Sequence, residues 1–130
     1  MVVKRVLRPE RLRRVPEHFS WVDHRLVRDR HIERCGSDAL ALYLLLITVG
    51  DAEGLSYYSD RVAARLLSLD EAGVRRARRD LLAADLISYE SPLYQVLGLD
   101  RSQTPVLRTE RSNGCASIGD VLRTAIGGQR

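Results

Sequence analysis

The stretch Ser68-Leu69-Asp70-Glu71-Ala72-Gly73-Val74-Arg75-Arg76-Ala77-Arg78-Arg79-Asp80-Leu81-Leu82-Ala83-Ala84-Asp85-Leu86 decides how this chain is read. Ser68 or Asp70 supplies an oxygen for the orphan N–H groups of a helix start. Val74, Ala77, Leu81 and Ala84 recur at helical spacing and define a buried side. At about 100° per residue, Arg75, Arg76 and Arg79 fall away from that seam. Arg78 falls on the seam's flank, where a long side chain lies along the protein rather than projecting.

The segments on either side complete a pattern. Ser59-Asp60 caps Arg61-Val62-Ala63-Ala64-Arg65-Leu66-Leu67, with Val62 and Leu66 facing inward at i,i+4. Ala63 and Ala64 are small enough for two helices to approach closely. Ser68-Leu69-Asp70 is then a turn with Leu69 in its corner. Upstream, Ser37-Asp38 caps a helix from Ala39 to about Gly50 that is apolar nearly all round, so it is expected to be buried on most sides. Gly50-Asp51-Ala52-Glu53-Gly54 ends it, and Leu55-Ser56-Tyr57-Tyr58 reads as a short strand. Downstream, Leu86-Ile87-Ser88-Tyr89-Glu90 and Leu93-Tyr94-Gln95-Val96-Leu97 flank Ser91-Pro92 and read as a hairpin. Its tip carries no Arg or Lys; Tyr89, Tyr94 and Gln95 are its polar contact candidates.

The expected fold is therefore mainly α with a small β-hairpin, a winged helix-turn-helix occupying residues 19–99. Before it, residues 1–18 form a basic arm: Arg5, Arg8, Arg11, Arg13 and Arg14 alternate with Val6, Leu7, Leu12 and Val15. Phe19-Ser20-Trp21-Val22 is a β-prone patch, and Trp21, the only tryptophan, is expected to anchor it on the domain. Residues 100–116 read as a linker. In 117–126, Ile118, Val121, Leu122, Ala125 and Ile126 make an amphipathic face, with Ser117 and Asp120 as a capping box. A helix this short is marginal alone and needs something to dock on: its own domain, a second copy or a protein partner.

Composition narrows the function. The 130 residues carry a net charge of +4, which tilts the chain toward an anionic partner. The basic residues are arginine except Lys4, suited to bidentate contacts with guanine edges and phosphates. Cys35 and Cys115 are isolated, which excludes a zinc ribbon; His31 and Cys35 at i,i+4 are two ligands without a third nearby. His18, His24 and His31 alternate with Glu17, Asp23, Asp29 and Glu33 as a solvated surface does. No Gly-rich phosphate loop, G-x-S-x-G or paired-carboxylate pattern is present, so no enzyme activity, catalytic residue, metal or cofactor is expected. The longest apolar run, around Ala39 to Val49, is too short for a bilayer, and a reducing cytoplasm, with the nucleoid as the place of work, is the expected compartment.

From Ser37 to Leu99 the order of elements resembles the winged-helix DNA-binding superfamily. The residues Trp21-Val22 with Arg25-Leu26-Val27, the run Ala39 to Leu46, and Gly54-Leu55-Ser56-Tyr57 resemble the N-terminal domains of DnaD-type and plasmid replication initiators. Asp80-Leu81-Leu82-Ala83-Ala84-Asp85-Leu86-Ile87 is similar to the helix ending before their wing, except that Asp85 stands where glycine is usual. The chain is also similar to small helix-turn-helix proteins encoded near bacterial insertion sequences. What the resemblance implies is double-stranded DNA as partner, in transcription regulation or in replication or transposition initiation. Arg75, Arg76 and Arg79 are the expected base contacts, with Ala72 allowing close approach. Ser59, Arg61, Arg65, Arg78, Arg5 and Arg8 are the expected phosphate contacts. The alternative is a winged-helix protein-interaction module in a replication or transposition assembly, without direct DNA binding.

Overall fold

Gly36 in extended backbone opens the longest apolar segment, and the chain turns into helix at once. The structure, a computed structural model, describes residues 2–100. Its elements in chain order are α1 (Arg25–Arg28), α2 (Ser37–Val49), β1 (Leu55–Tyr57), α3 (Asp60–Leu67), α4 (Glu71–Ala83), β2 (Ile87–Glu90) and β3 (Leu93–Val96). Single 3-10 turns lie at Pro9–Arg11 and His31–Arg34. The described residues are thus mainly helical, with one three-stranded antiparallel sheet in the order β1-β3-β2. A compact unit ends at Leu99. The linker expected at 100–116 and the amphipathic helix expected at 117–126 lie outside the described residues, apart from Asp100.

The core explains the order. Leu42 and Leu46 of α2, Leu81 of α4, Leu86 after it, and Tyr94 of β3 are all essentially buried and belong to one cluster. Each such leucine contributes about 1.5–3 kcal/mol by leaving water. A second cluster, Ala63, Ala64 and Val74 with Leu69 against it, joins α3 to α4. The two alanines permit the close approach, and Leu69 fills the corner between the helices. Both helices are capped by the residues that end the preceding loop. The Ser59 hydroxyl accepts from the Val62 N–H at 3.2 Å, and an Asp70 carboxylate oxygen accepts from the Gly73 N–H at 2.7 Å. In the sheet, Tyr89 pairs with Tyr94 and Ser56 with the same Tyr94 from the other side. Gly54, at φ +82°, enters β1 so close to β3 that a Cβ there would sit 2.8 Å from the Val96 carbonyl oxygen.

Four expectations are corrected. The cap of α2 is Gly36, and Ser37 and Asp38 lie inside the first turn. Phe19 to Val22 form no strand, and Trp21 is 73% exposed rather than packed on the domain. The inward face of α3 is Ala63, Ala64 and Leu67, whereas Leu66 is 51% exposed and Val62 half-buried. The reason lies in the partner: α4 packs closely on α3 through Val74, and only small residues such as Ala63 and Ala64 admit that approach, with Leu69 against the same cluster. Tyr94, expected at the surface of the hairpin, is buried.

Past α4 the chain reverses at Asp85, which adopts φ +63°, the left-handed conformation that glycine takes without strain. The Leu86 N–H reaches back to the Leu81 carbonyl at 3.1 Å, closing the helix end. An Asp85→Val chain is expected to be less stable than an Asp85→Gly chain by about 1–2 kcal/mol, the cost of a Cβ in this conformation. Urea denaturation of the two variants, which both lack the carboxylate, isolates the backbone effect.

Candidate nucleic-acid interface

α4 carries four arginines within five positions, and the fold treats one of them differently from the rest. Val74, Ala77 and Leu81 fix the helix on α2 and α3, which leaves Arg75, Arg76 and Arg79 exposed. Among the described residues, none of these three forms an ion pair or a hydrogen bond. The neighbouring acids Glu71 and Asp80 are on the same helix but do not close on them.

Arg78 points the other way. Its side chain is 12% exposed and donates to the Asp60 carboxylate at 2.7 and 3.4 Å and to the Tyr94 hydroxyl oxygen at 2.9 Å. The guanidinium carbon also stands 4.3 Å over the Tyr89 ring, and the Tyr89 and Tyr94 rings lie 4.6 Å apart. The hydrogen bonds it donates to Asp60 foremost, against the cost of burial, raise its pKa further above the ordinary arginine value. Burial raises the Tyr94 hydroxyl, and Arg78 pulls it back down. Arg78 is therefore withdrawn from the phosphate set: its donors are committed inside the protein, where they join α3, α4 and the β2–β3 hairpin.

The remaining expected contacts divide by element. Ala72 is half-buried in the first turn of α4, beside the exposed arginines. Arg61 and Arg65 are exposed on α3, and Ser59 is exposed at its cap with the hydroxyl oxygen already accepting from Val62. Arg5 and Arg8 are exposed in the arm, and Arg8 pairs with Glu10 at 3.0 Å. Among the described residues, no hydrogen bond carries residues 2–19 to α3 or α4. The structure thus groups Ala72, Arg75, Arg76 and Arg79 on one helix, sets Arg61 and Arg65 on its packing partner, and leaves Arg5 and Arg8 apart.

On one flank of α4 lies an open cleft of about 340 Å³ against the first turn of α2, lined in part by Ser37, Asp38, Gly73, Arg76, Arg79 and Asp80. Two cations and two anions face it without forming an ion pair. Elsewhere, the His31 ring accepts from Arg34 at 2.6 Å, and burial raises the pKa of the Cys35 thiol. That is the opposite of the depressed value a reactive or metal-binding thiolate needs. No group of three or more candidate metal ligands and no helix long and apolar enough to cross a membrane occurs among the described residues.

Asp60, Tyr89 and Tyr94 are the residues that sequence reading missed as partners of Arg78. Opposite charge alone offers no guide across eighteen positions of separation. Comparison with protein-family models, with curated proteins and with solved structures gives no match to this chain.

Because Arg78 is the shared donor, Arg78→Ala is expected to lower stability by about 1.5–3 kcal/mol, the scale of hydrogen bonds to charged groups. Asp60→Ala added to that variant is expected to cost little more, since the interaction is already lost. A double-mutant cycle by urea unfolding measures this; additive losses at the two positions would show that they do not interact.

Proposed function

We propose that the described domain is a winged helix-turn-helix that binds duplex DNA, with α3 and α4 as the helix-turn-helix, α4 as the recognition helix and β2–β3 as the wing. One observation carries this reading: three exposed arginines on α4 have no partner within the described protein, while the fourth is held inside it. A solvated structural surface with nearby acids would be expected to pair at least some of those cations. Free guanidinium groups on a rigid helix are what direct readout uses, each bidentate pair with guanine discriminating by about 1–3 kcal/mol. Ala72, Arg75, Arg76 and Arg79 are assigned to the major groove. Arg61, Arg65 and the Ser59 hydroxyl are assigned to phosphates, which position the helix without reading sequence. The hairpin tip, Glu90-Ser91-Pro92-Leu93, offers no cation for a minor groove. Transcription regulation and replication or transposition initiation draw on the same domain physics.

A protein-interaction module is the second reading, favoured by one observation of its own, the row of exposed apolar residues before Asp23.

The test is binding to duplexes recovered by selection from genomic fragments, measured as salt is raised. The parent is expected to lose affinity steeply as released counterions accumulate. An Arg75→Ala, Arg76→Ala, Arg79→Ala chain is expected to bind the selected duplexes about a hundredfold more weakly or worse and to lose its preference for them over unrelated duplex, whereas loss of Arg61 and Arg65 is expected to make the salt slope shallower. These side chains are solvated, so circular dichroism should be unchanged. Equal binding by parent and triple variant, or no duplex recovered, overturns the reading.

A further inference from the structure

From Val2 to Val22 every side chain is exposed, and the segment includes nine large apolar residues. Val6, Leu7, Leu12, Val15, Phe19 and Trp21 are between 54% and 78% exposed, so most of the arm's apolar surface is left in solvent. The domain has a second uncovered apolar site. Leu44, in the middle of α2, is 61% exposed although the helix is apolar nearly all round. A run of nine exposed large apolar residues, as the arm carries, is surface of the kind that marks an interaction site, and Leu44 is the one exposed large apolar residue of α2. The two sites are linked in space: the Ser20 hydroxyl donates to the Thr48 carbonyl at 3.3 Å, and the Thr48 hydroxyl donates to the Leu44 carbonyl at 2.7 Å, one turn back. The arm therefore leaves the domain at the end of α2 without lying on it.

Charge says what fits. The arm carries Lys4, Arg5, Arg8, Arg11, Arg13 and Arg14 against Glu10 and Glu17. Residues 37–54, α2 and the turn after it, carry Asp38, Asp51 and Glu53 and no basic residue. A basic apolar strap and an acidic-edged apolar helix face are complementary, and both belong to the same chain. At no more than about 3.3–3.6 Å per residue, residues 2–19 can span up to about 60 Å, ample to reach a neighbour. We propose that two copies of this chain associate by arm exchange, the arm of each lying across the exposed Leu44 face of the other's α2. Such a joint is isologous, so a single two-fold axis satisfies both arms and both helices. It rests on the arm and α2 alone, and it does not require that α4 bind DNA.

Sedimentation of the full chain without DNA tests this. The parent is expected to show twice the chain mass at micromolar concentration and to dissociate on dilution. Leu44→Asp, and separately Leu7→Asp with Leu12→Asp, are expected to weaken the dimer about tenfold or more, the scale of a lost interface anchor. All three side chains are exposed, so far-ultraviolet circular dichroism should match the parent. Mixing the two variants is expected to restore association in part, because a mixed pair keeps one intact arm-on-helix joint. A parent that stays monomeric, whether its arm folds back or its apolar face awaits another protein, overturns the proposal. So does a dimer that either variant leaves intact, or a mixture no more associated than its components.

Discussion

The bidentate grip of Asp60 on Arg78 is the constraint that the outward face depends on. Once one arginine of α4 is turned inward, helical geometry allocates the others. At about 100° per residue, Val74, Ala77 and Leu81 fall about 40–100° to one side of Arg78, and Arg75, Arg79 and Arg76 fall about 60–160° to the other. The three exposed guanidinium groups therefore share an arc about 100° wide, opposite the core. The Tyr89 ring beneath Arg78 and the Tyr94 hydroxyl beside it tie the hairpin to the same group. The apolar seam and the contacts of Arg78 agree on one rotation of α4, and Arg78 also ties the hairpin to it, which leaves the neighbouring arginines on the outward arc.

The apolar contacts behind this joint do a different job. Leu42 and Leu46 hold α4 through Leu81, and the Ala63–Ala64–Val74 cluster holds α3. Burial of this kind is strong but undirected, since packing forces are roughly proportional to area. It brings the helices together without specifying which polar group faces out. The ion pair and its tyrosines add that direction, because hydrogen-bond geometry is lost with a small rotation.

Local signals were legible in the sequence and distant ones were not. Ser59 and Asp70 could be read as caps because the oxygen and the N–H it satisfies are three residues apart. The seam of α4 could be read because its burial follows one period. Leu66 could not: the i,i+4 spacing with Val62 is correct for a helix, but the choice of face belongs to the partner, and α4 selects Ala63 and Ala64. Trp21 failed for the related reason that a large aromatic ring signals burial somewhere, not burial on its own chain. Of the candidate site, Arg75, Arg76 and Arg79 were placed correctly as outward groups. Arg78 could be read as lying along the protein, but its assignment to phosphates does not hold, because its partners, eighteen and sixteen residues away, leave no local signal. The pairing of β1 with β3 is likewise a long-range choice that no local pattern carries.

The two proposed surfaces also have to coexist, and the dimensions of α2 allow it. Its first turn flanks Arg76 and Arg79 across the open cleft, while the arm leaves at Thr48. At 1.5 Å per residue, the eleven steps from Ser37 to Thr48 separate those points by about 16 Å. Leu44 lies about 10 Å along the same axis from Ser37. A strap crossing α2 at Leu44 and running toward Asp51 and Glu53 would thus recede from the arginines rather than cover them. Arm exchange would then set the spacing of the two α4 helices without competing for their exposed faces.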